Sequence, residues 1–312
     1  MEKARVIKST GSWYQVELTD GQMLECRLKG KLRTQGIKST NPVAVGDWVG
    51  IEREGEQGLI AEIEERKNYI VRKSVNLSKQ THIIAANIDR AFLVVTLAAP
   101  PTSTGFIDRF LVAAEAYGIP VTLVFNKVDL YDEDDRWNME ALGLVYKAIG
   151  YPSLQCTATE GEGVEALKEA MSGQVSVLSG HSGVGKSTLA NALDPMLKLK
   201  TQAVSSYHQK GQHTTTFAEM FPLSFGGYLI DTPGIKGFGM VDMTKEELGD
   251  YFPEFFALKG ECKFHNCLHL NEPGCAVKQA LAKDQLAEHR YHSYLSILEE
   301  FEDGQHFRQG YK

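Results

Sequence analysis

The sequence predicts a multidomain chain: a small N-terminal β-barrel, a larger α/β domain and a short helical C-terminal region. Three observations carry this. Before residue 70, short apolar–polar alternations are separated by turn residues. From Ala91 onward, nearly continuous apolar runs alternate with amphipathic ones. Three of the five cysteines fall together between Cys262 and Cys275. The first pattern suits half-buried strands, the second buried parallel strands with crossover helices, and the third a metal-ligand cluster.

A chain of 312 residues is long enough for two or three separate cores. Hydrophobic content of 43% and charged content of 23% are those of an ordinary globular protein. The net charge of −7 argues against a uniformly basic nucleic-acid binder. One stretch departs from it: Arg27, Lys29, Lys31, Arg33 and Lys38 occur without an intervening acid. Such a run is either a solvated face or a loop that meets RNA. Acids cluster elsewhere, at Asp132-Glu133-Asp134-Asp135. The N-terminus leads into no signal-like apolar segment, and the apolar run near Phe92 to Pro101 is too short to span a bilayer. No membrane association is therefore expected. The cysteine clustering fits a reduced, cytoplasmic compartment better than a disulfide framework.

In the first 70 residues, Val6-Ile7 starts a strand and Tyr14, Val16 and Leu18 alternate with polar residues. Asp20-Gly21 reads as a hairpin turn, after which Leu24, Cys26 and Leu28 alternate again. Val43 to Ile51 and Gly58 to Ile63 supply two more strands. Five short strands in so few residues predict an OB-fold barrel, an architecture that often binds oligonucleotides. Trp13, Tyr14 and Trp48 are candidates for stacking on bases, with core packing the equal alternative.

The α/β region then reads strand (Ala91 to Thr96), helix (Phe106 to Tyr117), strand (Val121 to Phe125), helix (Trp137 to Ile149), strand (Ser153 to Cys156), helix (Val164 to Met171) and strand (Gln174 to Ser179). In the first helix Phe106, Phe110, Leu111 and Ala114 share one face. A doubly wound sheet follows, with ligands expected at the carboxyl ends of its strands.

The last of these strands runs into Gly180-His181-Ser182-Gly183-Val184-Gly185-Lys186-Ser187-Thr188, which satisfies G-x-x-x-x-G-K-[ST] in strand–loop–helix context. Its glycines let backbone N–H groups wrap a phosphate, and the helix N-terminus adds partial positive charge. Lys186 is placed to reach the β- and γ-phosphates and the Ser187 hydroxyl to ligate Mg²⁺. Asn126-Lys127-Val128-Asp129 follows another strand directly. A carboxylate at Asp129 pairs with the two donors on the guanine edge, whereas adenine leaves it unpaired, so GTP is favoured over ATP. Asn126 braces that loop and Lys127 lies over the base. Thr157-Ala158, after the strand ending at Cys156, matches a short loop that meets the guanine carbonyl through a backbone N–H. Cys156 reads as a buried apolar residue.

Asp231-Thr232-Pro233-Gly234 closes a strand at Tyr228 to Ile230. Asp231 is a second Mg²⁺ ligand, usually through water, and the Gly234 N–H is placed for the γ-phosphate. Between them, Gly211 to Thr216 carries three threonines, of which one should close over Mg²⁺ and the γ-phosphate. Thr215 is the first choice, with Thr214 and Thr216 open.

These motifs run in the order base loop, second base loop, phosphate loop, switch threonine and DTPG, which is a circular permutation of an ordinary small GTPase. Together with the β-rich start and the cysteine cluster, the order resembles the RsgA (YjeQ/YloQ) family of ribosome small-subunit biogenesis GTPases. Ala86-Asn87-Ile88-Asp89 also matches. The tract Ile235-Lys236-Gly237-Phe238-Gly239 departs from the family, which usually carries an acid before Phe-Gly. The resemblance covers nearly the whole chain. It implies an OB-fold RNA-binding domain over 1–70, a circularly permuted P-loop GTPase domain over 71–240 and a zinc-binding helical domain over 241–312. It also implies docking on the small (30S) ribosomal subunit and its rRNA during late maturation, with GTP hydrolysis driving release. A monomer is expected.

Where many GTPases place a water-orienting glutamine after DTPG, this chain has Ile235. His213, beside the switch threonines, is the best local substitute, catalytic through orientation or as a proton acceptor, with a merely solvated histidine the alternative. In the tail, Cys262-x₄-Cys267-x-His269-x₅-Cys275 supplies a closed Cys₃His set typical of structural zinc. His265 rivals His269 by proximity, and the family pattern selects His269. Val277 to Ala282 and Tyr291 to Phe301 read as helices. Two rival readings remain: a P-loop kinase, opposed by Asp129, and an RNA-binding scaffold with vestigial nucleotide binding, opposed by Lys186, Ser187 and Asp231.

Overall fold

The computed structural model describes residues 1–30, 32, 42–73, 81–199, 218–231 and 243–302. Strands β1 (Glu2–Ser9), β2 (Tyr14–Leu18), β3 (Met23–Leu28), β4 (Trp48–Glu54) and β5 (Gln57–Ile63) pair in the ring β1-β2-β3-β5-β4-β1. Only the β3–β5 pair of that ring is parallel. A five-stranded ring closed in this order is the OB-type barrel. Alternation builds it: β3 is exposed and buried at every second residue, so Leu24, Cys26 and Leu28 point inward. Tyr14 belongs to that core, 2% exposed, and is removed from the candidates for base stacking. Its place in the inward register of β2 leaves its ring no face for a ligand.

A hairpin, β6 (Tyr69–Lys73) and β7 (Thr81–Ala86), follows the barrel and was not anticipated from the sequence. It joins the barrel to the α/β domain through backbone and amide contacts. The Ala86 N–H donates to Val45 O at 2.8 Å. The Asn68 amide donates to Ile88 O and accepts from the Ile88 N–H, both at 2.8 Å.

The α/β domain contains β8 (Arg90–Val95), β9 (Val121–Asn126), β10 (Ser153–Cys156), β11 (Val175–Ser179), β12 (Glu219–Pro222) and β13 (Tyr228–Asp231), in the order β10-β9-β8-β11-β13-β12. All neighbours are parallel except β12, which runs against β13. β9 is buried at every position, as a strand covered on both faces must be. Helices α1 (Thr104–Ala116), α2 (Glu133–Ala148), α3 (Val164–Met171) and α4 (Lys186–Leu193) supply the covers. The structure starts α2 at Glu133 rather than Trp137, because the Asp132 carboxylate caps it by accepting from the Asp135 N–H at 2.8 Å. At its outer edge β12 pairs with β1 of the barrel, Lys8 opposite Glu219, so barrel and domain share one eleven-stranded sheet.

The tail contains α5 (Pro253–Lys259), α6 (Ala276–Leu281) and α7 (Glu288–Glu302). It packs on α1, which explains why that helix is buried on more than the one face its spacing predicts. Asp108 of α1 is wholly buried, and so is Arg290 of α7, at 1% exposed. Arg290 donates through Nη1 to Asp108 at 2.8 Å and through Nε to Glu254 of α5 at 2.7 Å. The Tyr146 hydroxyl of α2 donates to the same Asp108 oxygen at 2.8 Å.

Candidate functional site

Parallel strands carry the predicted residues to one edge. β9, β10, β11 and β13 all end there, and β8 turns beside β11 at the point where the winding reverses. The phosphate-binding loop leaves β11 at Ser179 and enters α4 at Lys186. Glycine is required at two of its positions. Gly180 has φ +141°, and a Cβ there would press into the Val94 carbonyl. Gly185 has φ +96°, and its Cβ would stand 2.5 Å from Asn126 Nδ2. Lys186 Nζ curls back to donate to Gly180 O at 2.8 Å and His181 O at 2.6 Å. Burial draws its amine down to about 8, with the carboxylate of Asp231 pulling the other way. A cation held in this manner is poised for an anion. Ser182 and Gly183 are exposed, Val184 is buried, and Ser187 and Thr188 are half-buried in the first turn of α4.

Asn126 is 1% exposed and ties three motifs together. Its Nδ2 donates to Val184 O in the phosphate loop at 2.8 Å, and its Oδ1 accepts from the Ala158 N–H at 3.3 Å. The register that sets Cys156 opposite Asn126 makes the second contact available. Lys127, at φ +62°, donates to Gly183 O at 2.7 Å and to Ala99 O at 2.6 Å. Asp129 is exposed in the short 3₁₀ turn Val128–Leu130. Thr157 is buried; its N–H donates to Glu162 O at 2.9 Å, and its hydroxyl has no partner among the described residues. Cys156 is the buried apolar residue expected, its thiol pushed up to about 11 chiefly by burial. Asp231 ends β13, whose neighbour is β11. His213, Thr214, Thr215, Thr216 and Gly234 lie outside the described residues.

Two participants escaped the sequence reading. One is the loop after β8, whose Ala99 carbonyl holds Lys127. The other is Tyr131, 5% exposed, whose hydroxyl accepts from the Leu97 N–H at 2.9 Å and donates to Asn126 O at 3.0 Å. A lone tyrosine five residues beyond Asn126 gives no motif signal.

In the tail, the ligand atoms of Cys262, Cys267, His269 and Cys275 all lie within 4.8 Å of one another. His269 Nδ1 is 3.4 Å from Cys275 Sγ and 3.7 Å from Cys262 Sγ. Zinc bonds of about 2.3 Å to sulfur and about 2.0 Å to nitrogen, set tetrahedrally, separate S and N by about 3.5 Å, so the donor set fits zinc. His265 is exposed and outside the cluster. Burial, with the neighbouring Cys275 and Cys262 thiols, pushes Cys267 up to about 12. Burial also raises Cys275, against hydrogen bonds from the Lys278 N–H and Cys267. Burial also lowers His269, keeping its imidazole neutral and able to ligate. The Ala276 N–H points at Cys262 Sγ at 3.4 Å and the Lys278 N–H at Cys275 Sγ at 3.5 Å. The Tyr291 hydroxyl fixes the His269 carbonyl at 2.7 Å.

On the barrel, the Arg27 guanidinium lies 3.9 Å from the centre of the Trp13 ring. Trp13 lines a concavity of about 440 Å³ with Lys8, Gln15 and Glu25. Trp48 is half-buried, with Lys3 Nζ 4.8 Å and Arg5 5.0 Å from its centre. Lys29 is paired with Glu52 at 2.6 Å, while Lys31, Arg33 and Lys38 lie outside the described residues.

Among known proteins, the family model described as RsgA GTPase matches residues 63–241, and that of the RsgA N-terminal domain matches residues 3–60. The chain belongs to the RsgA GTPase family. The small ribosomal subunit biogenesis GTPase RsgA of Bacteroides fragilis is 58% identical over 306 residues, covering 97% of this chain and 98% of the relative. Its namesake from Christiangramia forsetii is 59% identical over 302 residues, covering 96% of each. The crystal structure of YjeQ from Thermotoga maritima superposes with a TM-score of 0.81 at 36% identity, over 96% of this chain and 98% of that one. YloQ, described as a circularly permuted GTPase, gives 0.78 at 30% identity over 99% and 97%. As an RsgA GTPase the chain is a GTP hydrolase, and the family binds GTP, GDP and Mg²⁺.

Proposed function

We propose that this RsgA GTPase binds the small (30S) ribosomal subunit and its rRNA, assists late maturation of that subunit, and leaves it on hydrolysing GTP. The observation that supports the reading most is the Asn126 clamp. It joins the guanine-reading loop, the second base loop and the phosphate loop through one buried amide, in a chain whose relatives carry the biogenesis name over their whole length. No described helix is long and apolar enough to cross a membrane. The biogenesis name of the relatives supports a cytoplasmic place of work, and the proposal takes the protein to act as a monomer.

In this reading the domains divide near residues 70 and 240. Asp129 pairs with the guanine edge, Lys127 lies along the base, and Thr157-Ala158 meets the carbonyl. Gly180 to Gly185 wrap the phosphates with backbone N–H groups, Lys186 neutralises the β- and γ-oxygens, and Thr188 completes the grip. Ser187, Thr215 and Asp231 hold Mg²⁺, which when bound neutralises charge on the phosphates. Gly234 meets the γ-phosphate, and His213 orients water or accepts its proton in place of the missing glutamine. Cys262, Cys267, His269 and Cys275 hold zinc, which stabilises the tail and leaves no open position for catalysis. Trp13 and Trp48, faced by Arg27, Lys3 and Arg5, offer rings and cations to single-stranded rRNA.

The deciding experiment measures GTP turnover with and without purified small ribosomal subunits, with ATP as control. The proposal expects GTP turnover that rises with subunits and negligible ATP turnover; an unchanged GTP rate removes the ribosomal role. His213→Ala should lower the stimulated rate while leaving GDP affinity nearly intact, and an unchanged stimulated rate removes His213 from the mechanism.

A further inference from the structure

We infer that Tyr131 is a positioning residue for guanine-nucleotide binding, acting by pinning the loop after β8 across the base and phosphate loops. This rests on the GTPase reading of the same site, and it assigns a role to two elements outside every recognised motif.

The loop from Leu97 to Ser103 is closed on itself at its root. The Thr102 N–H donates to Thr96 O at 2.7 Å, the Thr96 N–H donates to the Thr102 hydroxyl at 3.2 Å, and the Thr96 hydroxyl donates to Pro100 O. Its tip lies on the nucleotide machinery. Ala99 O accepts from Lys127 Nζ, which also reaches Gly183 O, and Pro100 sits 3.4 Å from where a Cβ on Gly183 would stand. The loop thus touches the base loop and the phosphate loop together. Tyr131 ties it down from the other side. Its hydroxyl spends its proton on Asn126 O and a lone pair on the Leu97 N–H, while its ring is buried. Burial pushes the phenol up to about 12, so it stays a neutral donor at every physiological pH.

One hydroxyl therefore links the residue that clamps three motifs with the loop that orients Lys127. Without it, a backbone N–H and a carbonyl lose their partner, and Lys127 loses a fixed acceptor. The consequence falls on binding. The γ-phosphate chemistry, centred on Lys186, Ser187 and Asp231, is left as it was.

The test compares wild type, Tyr131→Phe and Thr102→Val, the last loosening the loop root with an isosteric side chain. Measured are GTP KM and kcat, the dissociation rate of GDP, and thermal melting. Tyr131→Phe should raise KM and speed GDP release about tenfold, with kcat at saturation within twofold of wild type. Thr102→Val should shift both in the same direction by a smaller factor. A melting loss with lower kcat but unchanged KM and GDP release marks a merely structural tyrosine and overturns the inference. So does binding within twofold of wild type in both variants. Failure of wild type itself to bind GDP or hydrolyse GTP would instead sink the nucleotide reading on which the inference stands.

Discussion

Lys186 and Arg290 are both cations drawn into the protein, and their surroundings separate a working site from a scaffold. Lys186 finds two backbone carbonyls, and burial leaves its amine at about 8. Arg290 is more deeply buried, and burial again opposes its charge, but Asp108 and Glu254 outweigh that and raise its pKa. The first cation is left short of negative charge, which in the proposed reading a nucleoside triphosphate supplies. The second is oversupplied, and its network joins α1, α2, α5 and α7. A buried charge that is incompletely compensated suits the proposed site, while a fully gripped one suits architecture.

Substituting each cation in turn breaks the comparison most directly. Lys186→Ala should cut GTP turnover at least about a thousandfold, because it removes preorganised charge at the phosphates. The nucleotide-free protein should melt no lower than wild type, since the amine is held against its preference; a clear loss of melting temperature would make Lys186 structural as well. Arg290→Met should do the converse. Stranding two carboxylates costs about 3–5 kcal/mol in urea unfolding, with GTP KM nearly unchanged in the folded fraction. A cost below about 1 kcal/mol would show that the network adds no rigidity.

A pH experiment sharpens the contrast. The folded amine titrates near 8, below its unfolded value of 10.5, so the unfolded state binds more protons between these values. The penalty on apo stability is therefore complete below about pH 8 and is relieved as pH rises toward 10.5. Nucleotide phosphates restore the charge, so GDP binding should take up close to one proton near pH 9. Affinity should fall by up to about tenfold from pH 8 to 9. Calorimetry in two buffers of different ionisation enthalpy measures this, and zero proton uptake would contradict it. The smallest effect is expected at the barrel junction, where Lys8 and Glu219 pair at 3.0 Å with side chains 42% and 28% exposed. Lys8→Ala should cost under about 1 kcal/mol by thermal melting, because solvent screens the pair.

How much of this was legible in the sequence follows the range of the interactions. Strand β10 and helix α3 stand where alternation and helical spacing put them, since both patterns are local. The turn between β11 and α4 was legible because its backbone demands glycine at Gly180 and Gly185. The Arg290–Asp108 contact bridges 182 positions, and no local pattern announces it. Strand β12 has only four residues and ends in Pro222, too little for a period to register. For Tyr14 the sequence left base stacking and core packing equal, and the inward register of β2 selects the core. Tyr131 was invisible because its contribution lies in where its hydroxyl ends up.

The pairing of β1 with β12 also solves a problem of solubility. An open sheet ends in a strand whose N–H and C=O groups invite another chain. Here the barrel lends its first strand to that margin, and Lys8 places a charge there. The opposite margin is β10, four residues long and too short to template much. Cutting away residues before 63 would do more than remove the barrel: it would also remove the bridge from Lys8 to Glu219 and leave the outer edge of β12 without a partner strand.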